Sequence, residues 1–195
     1  PAQNVDQLRS GLSGGSYGKG STAEQGGASA LMEAIERYSG IFQGDEIRTA
    51  RRFADFDPGD AIHPNDVQLF SEAQFQSRFV QSPDDSHPVP EPLDPSTKTE
   101  WSPVWSLRDK RFKYLPTGLL YFFYGGFHTD SNGCAAGNTR EEAIVQGFLE
   151  LIERDPYAIW WYNRLQRAEL DLKQFDDSYV RDLQAQFADA GRRLW

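Results

Sequence analysis

Residues 130–154 read DSNGCAAGNTREEAIVQGFLELIER, a loop of small residues running straight into an amphipathic segment. Thr139 with Glu142 makes a capping box, so a helix is expected from about Arg140 to beyond Glu153, with Pro156 bending or ending it. In helical register Ile144, Phe148, Leu151 and Ile152 form an apolar arc, and Gln146, Glu150 and Glu153 cluster within about 60° of one another beside it.

The same arrangement occurs earlier. Residues 10–22, SGLSGGSYGKGST, are dense in glycine, carry the cation Lys19, and precede an apolar-periodic segment from Ala23 to Tyr38 that stops at Gly40. There Leu31, Met32, Ile35, Tyr38 and Phe42 form the apolar arc, and Ser29, Glu33 and Glu36 lie within about 60° of each other. Each helix thus offers one polar residue followed by ExxER, as SALMEAIER and as QGFLELIER.

If the two polar faces meet, Glu33, Glu36, Glu150 and Glu153 converge, and four such groups cannot all stay ionised without protons or a cation. The ligands would be oxygen only. His63, His87 and His128 are the sole histidines, and none stands at the i+3 position that an ExxH redox-metal helix requires. Hard oxygen donors favour Mg²⁺, which bridges carboxylates to phosphates, and Lys19, Arg37 and Arg154 would clamp the phosphate oxygens. A solvated helix face is the competing reading of either copy alone; two copies, each behind a glycine loop, favour a nucleotide site. It is not a P-loop: Ser13 stands where the first glycine belongs, and Lys19 is followed by Gly20.

The rest of the chain supplies a mixed α/β frame. Ile47 to Phe56 reads as extended and Asn65 to Phe79 as weakly helical. The proline-packed run to Thr99 is a long exposed loop, in which Glu91 and Asp94 either contact a partner or mark a surface insertion. Trp101–Leu107 and Lys113–Tyr124 around the turn RDKR predict a hairpin with the second arm more buried. Across 195 residues, 20 Lys and Arg against 29 Asp and Glu give a net charge of -9, which disfavours a bare nucleic-acid binder. The single cysteine, Cys134, excludes an intrachain disulfide and reads as a small packed loop residue, not a nucleophile. No apolar run is long enough to span a membrane, so a soluble, cytoplasmic protein without membrane or nucleic-acid partners is expected. The chain starts at Pro1 and ends at Trp195, soon after an amphipathic stretch from Ser178 to Leu194, so a piece cut at both ends from a longer protein is expected.

Taken together, SYGKGST around Lys19, Ser29 to Arg37, DSNGCAAGNT from Asp130 to Thr139, Gln146 to Arg154 and the aromatic WWYNR at 160–164 resemble the YcaO superfamily over nearly the whole chain. The resemblance implies an α/β (α+β) fold with a mixed sheet and two long glutamate-bearing helices side by side, residues 1–195 forming the N-terminal portion of a single, incomplete YcaO-like catalytic domain. It implies ATP and Mg²⁺ as cofactors, with Glu33, Glu36, Glu150 and Glu153 at the metal and Lys19, Ser29, Gln146 and Arg154 at the nucleotide. The usual reaction of that family is ATP-dependent cyclodehydration of a ribosomal precursor peptide, converting Cys, Ser or Thr into azolines of the thiazole/oxazole type. Relatives form thioamides or amidines by the same amide activation. Implied partners are the precursor peptide and a leader-peptide-binding protein or domain. Apolar surface left uncovered by the missing half adds a homodimer to the expectations. A degenerate scaffold module is the alternative, and turnover by these residues alone stays open.

Overall fold

The computed structural model describes residues 15–78, 89–127 and 129–194. The start of the first glycine loop, with Ser13, part of the proline-rich run, His87, His128, Phe79 and Trp195 lie outside the described residues.

The first glutamate helix, α1, is Ala23–Ser39, capped by the Thr22 side chain accepting from the Gln25 N–H and followed by Gly40. An antiparallel sheet of β1 (Thr49–Arg52), β2 (Lys98–Ser106) and β3 (Arg111–Pro116) follows, in the order β1-β2-β3. Apart from this antiparallel sheet, two isolated parallel bridges, Ile41 to Phe122 and Ala61 to Tyr114, tie flanking loops to the end of α1 and to β3. The second glutamate helix, α5 (Arg140–Asn163), and α6 (Ser178–Asp189) complete the mixed α/β fold. Among the described residues no helix is long and apolar enough to cross a membrane.

The sheet is organised by Trp101, which is fully buried in the central strand opposite Thr49 on one side and Pro116 on the other. Phe53 and Phe56 pack on its ring at 5.8 and 5.2 Å, and its indole N–H donates to the Arg51 carbonyl at 3.0 Å, so the ring's one polar atom is satisfied. Behind it the buried Ser102 and Thr117 hydroxyls bond each other at 3.0 Å. Pro103 falls where β1 no longer flanks β2, a place that tolerates the missing donor.

Several boundaries differ from expectation, each for a local reason. The extended stretch at 47–56 shortens to β1, because Phe53–Asp55 turn into a 3₁₀ segment closed by Asp55 against Arg52. The expected helix at 65–79 splits into α2 (Asn65–Gln68) and α3 (Glu72–Ser77), because Leu69 adopts a left-handed φ of 58° and the Asn65 amide brackets Phe70. The hairpin itself forms as expected, with β2 as the central strand and Pro116, Thr117 and Gly118 buried on the second arm. The second arm stops at Pro116, where Thr117–Leu120 form a short helical turn, α4. Pro156 neither ends α5 nor marks its limit, because the helix runs on to Asn163 and the donor lost at one position is outweighed by continuation on both sides.

The arc of α5 faces outward, and so does most of that of α1, in which Met32 and Phe42 are partly covered. Leu31, Ile35 and Tyr38 of α1 are exposed, as are Ile144, Phe148, Leu151 and Ile152 of α5.

Two outcomes test this frame. Trp101→Ala is expected to cost about 3–5 kcal/mol in denaturant unfolding, the range for deleting a buried aromatic; a cost below about 1 kcal/mol would remove Trp101 from the centre of the sheet. In the hairpin turn Lys113 and Arg108 pair with Asp109, and Ser106 donates to it, which holds its carboxyl well below the usual carboxylate range. A depressed folded-state pKa stabilises above the unfolded value of 3.8 and fades as pH falls through the folded one. Asp109→Asn should therefore lower Tm at neutral pH, with a difference that shrinks in strong acid; an equal Tm loss at both would contradict the assignment.

Candidate functional site

The two glycine loops fold back over the helices they precede, and glycine is what lets them. A Cβ on Gly18 would sit 1.8 Å from the Gly26 carbonyl oxygen and 2.4 Å from the Ala30 nitrogen. On the second helix a Cβ on Gly147 would sit 2.4 Å from the Gly133 carbonyl oxygen, and Gly133 itself has a φ of 81°. Each loop thus lies backbone against backbone on its helix, just ahead of the glutamates. Asn138 and Thr139 fix the start of α5: the Thr139 hydroxyl accepts from the Glu142 N–H at 3.1 Å, while the Glu142 carboxylate accepts from the Asn138 N–H at 2.9 Å. The expected box is therefore half present, with its carboxylate reaching one residue further back.

Between the helices lies a cleft of about 630 Å³, lined by Tyr17, Lys19, Ser29, Met32, Glu33 and Glu36 on one side and by Gln146, Glu150, Glu142 and residues 134–138 on the other. The two glutamate helices stand side by side across this cleft instead of sharing a dry interface. Of the residues expected at the site, Lys19, Ser29, Glu33, Glu36, Gln146 and Glu150 meet here.

Arg37, Glu153 and Arg154 do not line the cleft. Arg37 folds back to bond Glu33 at 2.6 Å and Arg154 bonds Glu150 at 2.8 Å, each one helical turn along its own helix. Glu153 is exposed, one step further around α5. Among the described residues no three His, Cys, Asp or Glu side chains stand close enough to hold one ion together. The reason is visible in the pairs: each arginine draws a carboxylate along its own helix and not across the gap.

The charges in the cleft are unevenly compensated. The Tyr17 N–H donates to Glu33 at 2.5 Å and, with Arg37, holds that carboxyl below its ordinary value. Glu36 is pushed up by burial first and then by Glu150 and Glu33, with Arg37 offsetting part of the rise. Burial, Glu36 and Glu150 likewise raise the Cys134 thiol, so it stays protonated at neutral pH and offers no thiolate. The donors are carboxylates, a hydroxyl and amides, a hard set with surplus negative charge, which fits Mg²⁺ carrying a phosphorylated ligand and not a soft metal.

Sequence reasoning missed Tyr17, whose backbone and not its side chain anchors Glu33, and the placement of Cys134 at the cleft wall. The pairing of Gly18 with Gly26, and of Gly133 with Gly147, was the available signal.

The site is thus a carboxylate-rich cleft under two glycine loops, carried by a mixed α/β frame and outside the P-loop class. The sequence model of the family described as YcaO cyclodehydratase, ATP- and Mg²⁺-binding, matches residues 17–195, and the chain belongs to that family. An uncharacterized protein of Methanothermobacter thermautotrophicus (strain Delta H) is 31% identical over 182 residues, covering 89% of this chain and 41% of that protein. A solved heterocyclase in complex with substrate and cofactor superposes with a TM-score of 0.84 at 48% identity, over 91% of this chain and 25% of its own. The heterocyclase TruD gives 0.79 at 46% identity, over 86% and 26%. The chain thus spans about two fifths of the length of the curated relative and about a quarter of each heterocyclase.

The loop crossings make a prediction of sign. Gly→Ala inside a helix ordinarily stabilises by about 0.5–1 kcal/mol. Gly27, with open space around it, should follow that rule. Gly147→Ala should instead destabilise by about 1–3 kcal/mol, as overpacking does. Urea unfolding of both variants decides it; equal gains would mean the loop does not cross α5 closely.

Proposed function

We propose that this chain forms part of an ATP- and Mg²⁺-dependent enzyme that activates a peptide backbone amide by O-phosphorylation, giving azolines from Cys, Ser or Thr of a ribosomal precursor peptide. The observation that carries the reading is the convergence of Ser29, Glu33, Glu36, Gln146 and Glu150, from two helices, on one cleft that Lys19 also enters. Its volume of about 630 Å³ lies within the roughly 300–1,000 Å³ typical of cofactor pockets.

In this reading Glu33, Glu36 and Glu150 hold Mg²⁺ from the cleft and Glu153 turns in from the exposed side of α5 to join them, while Lys19, Ser29, Arg37, Gln146 and Arg154 hold the nucleotide. Bound Mg²⁺ would offset the charge on the phosphates and on the crowded carboxylates. Arg37 and Arg154 are paired with cleft carboxylates, so once those carboxylates take another cation both guanidiniums are released to meet phosphate oxygens. Lys19 enters from the glycine loop as a point charge. The peptide's own side chain is the nucleophile: its thiol or hydroxyl adds to the preceding carbonyl carbon and closes the ring, the resulting oxyanion takes the terminal phosphoryl group of ATP with release of ADP, and loss of the former amide proton expels phosphate as the C=N bond forms. Amide oxygen is a poor leaving group and phosphate a good one, so positioning and electrostatics suffice and no protein nucleophile is needed. The protonated Cys134 agrees with that.

We further propose that the whole protein works in the cytoplasm with a leader-peptide-binding partner protein or domain, and as a homodimer.

Calorimetry of Mg²⁺-ATP on the full-length protein tests the proposal. Wild type is expected to bind only with Mg²⁺ present, and Glu150→Gln to weaken binding at least about tenfold, as loss of a charged partner does. No binding by wild type would leave a scaffold module as the better reading.

A further inference from the structure

Adjoining the cleft through the Arg37–Glu33 pair is a smaller pocket of about 270 Å³, lined by Arg37, Ile41, Phe122, Phe123 and Ser131. It lies below the size typical of a cofactor site and suits one or two side chains. Four observations distinguish it from an ordinary surface dent.

First, Phe123 has a left-handed φ of 63°, rare for a bulky residue, and its ring is 57% exposed. Such a conformation persists only where the neighbours impose it. Here they do, because the Phe122 N–H donates to the Gly40 carbonyl at 2.8 Å and its carbonyl accepts from the Phe42 N–H at 3.3 Å. Second, the Phe122 ring lies so close to the end of α1 that a Cβ on Gly40 would be 2.5 Å from it. The pocket floor is therefore fixed to the same helix that carries Glu33 and Glu36. Third, Arg37 lines this pocket and bonds Glu33, which lines the nucleotide cleft, so the two spaces share one ion pair as their common wall. Fourth, Ser131 belongs to the loop whose residues 134–138 line the cleft, and its carbonyl accepts from the Cys134 N–H at 3.0 Å.

We propose that the pocket of Arg37, Ile41, Phe122, Phe123 and Ser131 is a peptide subsite that receives an apolar side chain of the residue preceding the reacting Cys, Ser or Thr. The inference rests on the amide-activation reading above. That residue owns the carbonyl that must reach the terminal phosphate, so its side chain has to lodge within a few bonds of the nucleotide cleft. Ile41 and the two phenylalanine rings supply an apolar lining, while Arg37 at the shared wall faces the carbonyl side. An acidic side chain there would have to give up its water against three apolar side chains, so it is disfavoured.

The test uses the full-length protein with Mg²⁺ and a non-hydrolysable ATP analogue, and four blocked tetrapeptides, acetyl-Gly-X-Cys-Gly-amide with X as Leu, Phe, Gly or Asp, followed by saturation-transfer NMR. Wild type should bind the Leu and Phe peptides about tenfold more tightly than the Gly and Asp peptides. Phe123→Gly removes the ring and relieves the left-handed strain, so it should keep or raise Tm while reducing that preference to within about twofold. Phe123→Ala, which removes the ring alone, should show the same loss. Equal affinity for all four peptides, no binding by any of them, or an undiminished preference in Phe123→Gly would overturn the proposal. Calorimetry on the same samples keeps the two readings apart: Mg²⁺-ATP affinity should be unchanged by Phe123→Gly, and its absence from wild type would sink the nucleotide site and not the pocket.

Discussion

The arrangement depends on two places where backbone touches backbone. Gly18 against Gly26 and Ala30, and Gly133 against Gly147, bring each loop flat onto the helix that follows it. Any side chain at these crossings would lift the loop away and carry Lys19 or residues 134–138 out of the cleft wall. The glycines thus set the geometry, while the polar residues fill it. Gly147 weakens its helix by about 1 kcal/mol relative to alanine, and the close approach is what that cost secures.

Upon this frame the electrostatics are arranged asymmetrically. Glu33 has a backbone donor and an arginine, whereas Glu36 has two carboxylates for neighbours and partial burial. A cleft in that condition favours a cation over protons at neutral pH, because the hard oxygen donors are already aimed into one space. The i to i+4 pairs Glu33–Arg37 and Glu150–Arg154 are worth little as exposed ion pairs. Their value lies in holding each guanidinium near the site without drawing it into the cleft.

Much of this was legible in the sequence, and the parts that were not share a cause. Local rules located α1, the start of α5 at Thr139 and the hairpin around the charged turn, because capping, periodicity and turn chemistry act over a few residues. The paired ExxER segments named the two helices of the site. What could not be read was the direction of each side chain: Arg37, Glu153 and Arg154 have the right spacing yet stand off the cleft, since spacing fixes a face within about 60° and pairing within the helix decides the rest. Leu69 broke an expected helix through a left-handed turn that a leucine gives no hint of. Pro156 sits inside α5 because neighbouring turns tolerate one lost donor, a tertiary outcome that propensity alone does not foresee.

Helix α5 has one more consequence. Val145, Phe148, Leu149, Leu151, Ile152, Ile159 and Trp161 expose a wide apolar surface, and Tyr157, Trp160 and Trp161 crowd together near its end. A helix of this kind takes its rigidity from whatever covers it and not from its own hydrogen bonds. Gln146 and Glu150 ride on that helix, so their half of the cleft is only as ordered as the covering of α5. Ligand affinity and assembly then become linked quantities: anything that clasps the spine sharpens the cleft, and a nucleotide in the cleft strengthens the clasp in equal measure.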